Sequence, residues 1–314
     1  MYWIFIVLGV LAAGGIAAML IITLPISKKV YDICLVRTEP EKWPRVCSAP
    51  ENEEQKAMWD EGCRWADSHS SAMREVSIET EGLRLEGELY DFGGDRCVVI
   101  FPGRCECLKY SYYYAKPYAD AGISVLVTDP RAHGKSEGVY STVGSAEGRD
   151  AIAWTHYLTE SCGMRSVYYH GVCIGGAAAI FAASSPDCPD EVRGIVTEGC
   201  FVNFRETFKN HMIIDKRPLF PVLDMVMIRL WAATGVNVLR ECPLKAVSRL
   251  ERPALFIFGE LDPYSVPEKS RRLFAACASD NKKDVWLPRG GHSHLRINNT
   301  EAYDKAVGDF IGSL

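Results

Sequence analysis

The chain has 314 residues, 48% hydrophobic and 24% charged, with a formal net charge of −5. That is enough apolar material for one large domain or two small ones, and an acidic balance with no basic run excludes a nucleic-acid groove. Small-molecule or lipid chemistry is the class of function that remains.

Residues 2–25 place 24 positions in a row without a charged side chain, enough for a helix to cross a hydrocarbon core of roughly 30 Å. No positive segment precedes this run, so residues 1–26 read as a transmembrane anchor rather than a cleaved signal peptide. Lys28 and Lys29 follow directly, and the positive-inside bias predicts a single-pass protein whose remainder lies in the cytoplasm. The twelve cysteines have no repeated spacing and read as reduced core thiols, in keeping with that compartment. Cys105-Glu106-Cys107 could be a redox or metal pair, but no matching His/Cys cluster accompanies it.

Residues 27–72 read as a connector with one helix over about 51–66, whose Met58, Trp59, Cys63 and Trp65 give it a partly apolar face. Alternation in EVSIET and LRLEGELYDF then predicts an antiparallel hairpin turning at Glu81-Gly82. Short apolar strands follow at 97–101, 124–129, 166–171, 194–199, 254–259 and 284–288. Between them, helices are expected at about 110–121, 145–160, 174–184, 243–249, 266–278 and 299–312. Buried strands alternating with helices define an α/β domain over 73–314: a doubly wound, mostly parallel sheet of about eight strands, with ligands at the strands' carboxyl ends. The long interval at about 200–241 predicts a helical cap giving the substrate an apolar wall, although a buried crossover helix fits the same composition.

Gly171-Val172-Cys173-Ile174-Gly175-Gly176 falls where a predicted strand meets a predicted helix. A nucleophile on so tight a turn needs small neighbours, and glycines stand two residues to either side of Cys173. The turn also sets the side chain at a helix N-terminus, where amides and dipole stabilise a thiolate or an oxyanion. A buried structural cysteine is the alternative for this segment alone. HGKS lacks the upstream glycine of a phosphate loop, because Asp129 stands there, and HSH lacks a third metal ligand close by.

Taken together, VVIFPGR, DPRAHGKSEG, GVCIGG, FGELDPYSVP and PRGGHSHL resemble the α/β-hydrolase superfamily over about residues 73–314, most closely its serine-aminopeptidase-like and lysophospholipase-like members. The resemblance implies a nucleophile, acid and histidine in the order Cys173, Asp262, His292, with the backbone N–H groups of Arg104 and Ile174 as the oxyanion hole. Glu260 and Glu198 are the rival acids, His294 is the rival histidine, and His133 and His170 read as structural. Most members of the superfamily carry serine where Cys173 stands. The expected activity is cleavage of a carboxylic ester or related acyl bond through a thioester, without cofactor or metal, on a small-molecule acyl substrate that includes lipids. Transfer of the acyl group to an acceptor other than water (acyltransferase or thioesterase) and a catalytically weak binding protein are the alternatives.

Overall fold

Runs such as Val98-Val99-Ile100 and Leu255-Phe256-Ile257 have no polar face to offer solvent, so they form central strands covered on both sides. The structure is a computed structural model, and it describes residues 2–39, 41–43 and 52–314. Its strands are β1 (Met73–Thr80), β2 (Leu83–Tyr90), β3 (Arg96–Phe101), β4 (Ser124–Thr128), β5 (Ser166–Val172), β6 (Val192–Glu198), β7 (Ala254–Gly259) and β8 (Lys282–Leu287). They make one sheet in the order β1-β2-β4-β3-β5-β6-β7-β8. β2 is antiparallel to β1 and β4, and every other pairing is parallel. The chain runs outward from β3 to β4 and then returns across β3 to β5, so the loops leaving β3 and β5 share one switch point at the carboxyl edge.

The helices are α1 (Tyr2–Leu35), α2 (Glu53–Ser68), α3 (Lys116–Ala119), α4 (Ser145–Cys162), α5 (Ile174–Ala183), α6 (Phe204–Ile214), α7 (Val222–Thr234), α8 (Pro243–Val247), α9 (Pro267–Ala276), α10 (Leu295–Asn298) and α11 (Thr300–Gly312). α6 and α7 occupy the interval where a cap was expected. The helix expected at 110–121 is instead a 3-10 helix over Leu108–Tyr114 followed by the short α3. Tyr112, Tyr113 and Tyr114 are all buried there, and Pro117 cannot continue a helix from the preceding turn, so packing decides the conformation.

α1 differs in length from the expected span. It continues through Pro25 to Leu35, and while Tyr2 to Val10 stand exposed, Val30, Tyr31, Cys34 and Leu35 are buried in the domain. α1 is thus both the long apolar helix, with length and composition sufficient to cross a membrane, and a core element packed against α7. Among the described residues ten cysteines are free, seven of them buried. Cys107 departs from the expectation of reduced thiols, because it is disulfide-bonded.

The DPRAHGKSEG stretch is a structural knot. Asp129 accepts the N–H groups of Leu108 and Lys135, and a Cβ on Gly134 would lie 2.0 Å from its carboxylate, so only glycine fits beside it. His133 Nδ1–H donates to the Arg131 carbonyl at 2.8 Å, and the ring stacks on Trp43. Arg131 makes a bidentate pair with Asp150 at 2.8 and 2.6 Å, both side chains nearly buried. Arg131→Ala would strand that carboxylate and is expected to cost about 3–5 kcal/mol in denaturant unfolding. A loss below about 1 kcal/mol would show the pair to be hydrated and dispensable.

Candidate active site

Strand β5 ends at Val172, and α5 begins at Ile174. Cys173 is the residue between them, with φ 53° and ψ −108°, a conformation strained for any residue with a side chain. Close packing enforces it. A Cβ on Gly171 would meet the Gly175 carbonyl at 2.1 Å, and one on Gly175 would meet the Phe101 carbonyl at 2.2 Å. The second contact presses the turn against the end of β3, which sets the first amide of α5, Ile174 N–H, beside the Gly103-Arg104 loop. That amide has no acceptor within its own helix. Within the loop, Glu106 accepts the Gly103 N–H at 2.7 Å and fixes its path past Arg104.

Asp262 and His292 come from the loops after β7 and β8. His292 Nδ1 lies 2.7 Å from Asp262 Oδ2, and the other carboxylate oxygen accepts the N–H groups of Tyr264 and Ser265 at 2.8 Å each. Burial opposes ionisation of Asp262, yet the His292 charge and these hydrogen bonds hold its carboxyl below the usual range. Burial likewise works against an imidazolium, but the charges of Cys173 and Asp262 outweigh it and push His292 well above its ordinary value. His292 Nε2 is buried and closes no hydrogen bond among the described residues. The ring therefore has one nitrogen anchored and one free for proton transfer.

Cys173, Arg104 and His292 line one cavity of about 260 Å³, together with Glu106, His211 and Tyr264. The rivals lie elsewhere or are occupied. Glu260 is exposed, and His294 pairs with Glu54 of α2 at 2.9 Å. His170 is buried between the hydroxyls of Tyr118 and Tyr303, at 3.0 Å from each. Glu198 sits behind the site, where it accepts the Tyr303 hydroxyl at 2.8 Å and its own carbonyl receives the Cys173 N–H.

Burial pushes the Glu198 carboxyl up to about 7 from 4.5. The folded chain thus keeps a proton that the unfolded chain releases, and stability from this group is full below about 4.5 and declines as pH rises through about 7. Glu198→Gln is expected to flatten the fall of Tm across that window. An unchanged slope would mean that Glu198 is already ionised in the folded protein.

Of the residues lining the cavity, Glu106, Tyr264 and His211 are given no role there by the sequence. Glu106 was noticed only as part of a cysteine pair. Tyr264 follows the acid by two residues, and its ring stacks on His211 with centroids 3.7 Å apart. His211 did carry a signal: on α6 it lies three residues beyond Phe208 and seven beyond Phe204, on the stripe that turns inward.

A mostly parallel eight-stranded sheet with a strained turn after β5, and acid and histidine loops after β7 and β8, is the arrangement of the α/β-hydrolase fold. Residues 94–238 match the family model described as serine aminopeptidase, S33. Among solved structures, the chain is similar to the Pyrococcus furiosus esterase Pf2001, with a TM-score of 0.65 and 23% identity over 79% of this chain and 93% of that one. It is also similar to a hydrolase of Pseudomonas aeruginosa, with a TM-score of 0.58 and 17% identity over 76% of this chain and 98% of that one. Among sequence relatives, an uncharacterized membrane protein of Saccharomyces cerevisiae is 28% identical over 62% of this chain, a match that spans 62% of the yeast protein. The uncharacterized protein YqkD of Bacillus subtilis is 25% identical over 69% of this chain and 71% of its own.

Proposed function

We propose that this protein is a membrane-anchored hydrolase that cleaves a carboxylic ester by attack of Cys173. His292, oriented by Asp262, holds the proton of the Cys173 thiol, and the thiolate adds to the ester carbonyl. The oxyanion then rests on the N–H groups of Arg104 and Ile174, each such donor being worth about 2.7–4 kcal/mol in enzymes of this kind. Collapse expels the alcohol, which takes the proton from His292 and leaves a thioester on Cys173. Water, deprotonated by the same histidine, hydrolyses that thioester and restores the thiol.

The observation that carries this reading is the pairing of a 2.7 Å His292–Asp262 contact with a strained Cys173 in the same cavity. A purely structural cysteine has no need of a left-handed backbone or of an imidazolium beside it. The test is a panel of soluble esters and thioesters offered to the full chain, with alcohols, amines and thiols added as competing acceptors. Hydrolysis supports the reading; no turnover on any ester would overturn it. The cysteine favours a second reading, acyl transfer, because thioesters pass acyl groups readily to amines and thiols. Acylated acceptor in place of free acid would establish it.

Membrane attachment rests on the exposed apolar part of α1 and on the word membrane in the yeast relative's name. Lys28 and Lys29 after the span, and ten free thiols among the described residues, favour a cytoplasmic domain, against the cue of the Cys107 disulfide.

A further inference from the structure

We propose that the cap itself docks on the bilayer surface beside its anchor, through the face of α7 that carries Ile228 and Trp231. The inference rests on α1 being a membrane anchor and adds a second, peripheral contact to it. Ile228 and Trp231 lie three residues apart on α7, on one face, and are 60% and 55% exposed. Large apolar side chains that form a contiguous exposed band mark an interaction surface.

The position of α7 along α1 says what covers them. Between the two exposed residues, Arg229 reaches across to α1, where Nη2 donates to the Leu24 carbonyl and Nε to Ser27 Oγ, each at 3.2 Å. Leu24 is four residues before Lys28, the first charge after the apolar run, so the bonds hold this part of α7 near the depth where hydrocarbon gives way to headgroups. The neighbouring α1 side chains Ile21, Ile22 and Leu24 are exposed too and continue the apolar band from one helix to the other. A tryptophan at that depth has an apolar ring for the acyl boundary and an N–H for the headgroups. Lys29, exposed just past the run, and Arg229 supply positive charge at the phosphate level, while Lys28 pairs with Asp32 at 2.5 Å.

The occupant that fits is the lipid surface into which α1 inserts. Docking there puts the cap, which lends His211 to the cavity wall, between the membrane and Cys173.

The full chain in liposomes tests this by tryptophan quenching, with phosphatidylcholine brominated near the headgroup end of its chains against the unbrominated lipid. The expected result, with Trp3→Phe introduced throughout to remove the anchor's own tryptophan, is a quenchable, blue-shifted component that is lost in Trp231→Phe and kept in Trp286→Phe, an exchange on the edge strand β8. Equal quenching in the wild type and in Trp231→Phe would overturn the proposal. Crosslinking of copies through residue 231 with no quenching would overturn it in favour of a second copy of this chain. Turnover of a soluble short-chain ester by the same samples separates the two readings, since its absence would count against ester hydrolysis and leave the quenching result standing.

Discussion

Cys173→Ala is expected to lower ester turnover by on the order of 10⁴-fold or more, while thermal unfolding moves little. The size follows from what the substitution removes. Without Sγ there is no acyl-enzyme, and His292 loses the anion that, with Asp262, outweighs the cost of burying its positive charge. Arg104 and Ile174 N–H would still polarise a bound carbonyl, which is why a residual rate above that in water is expected. Stability is spared because Cβ remains and the strained backbone is held by Gly171 and Gly175 rather than by sulfur. Turnover within tenfold of the wild type (~10-fold) would contradict the assignment of the nucleophile.

Asp262→Asn is expected to cost about 10⁴-fold in kcat with a small change in KM. The Tyr264 and Ser265 amides would still bind the side-chain oxygen, so the loop keeps its shape. What is lost is the charge and acceptor at His292 Nδ1, and with them the tautomer that leaves Nε2 ready. The sign of the pH effect follows. Asp262 raises the folded-state value of His292, so its removal moves the alkaline limb of the rate profile to lower pH. An unshifted alkaline limb would show that His292 does not titrate in the active form.

Much of this site was legible in the sequence because backbone geometry demands particular residues there. A turn whose Cα atoms approach neighbouring carbonyls closely admits only glycine at 171 and 175, and such spacing can be read without a structure. The continuous apolar strands were legible for a similar reason, since a buried parallel sheet leaves no polar face. The buried tyrosines at 112–114 were not, because a helical period and a tertiary docking site look alike in a short aromatic segment. Neither was the dual character of α1: its apolar run predicts a membrane span, but nothing in composition says that Val30 and Leu35 pack into the domain. Glu106 and His211 enter the cavity from a loop and from α6, whose directions are set by tertiary packing.

Trapping the acyl-enzyme tests the central claim most directly. The full chain, mixed with an activated short-chain ester and quenched in acid, should carry a single acyl group on the peptide containing Cys173, released by neutral hydroxylamine and absent from Cys173→Ala. An acyl group on another residue, or steady turnover with Cys173 never acylated, would contradict it.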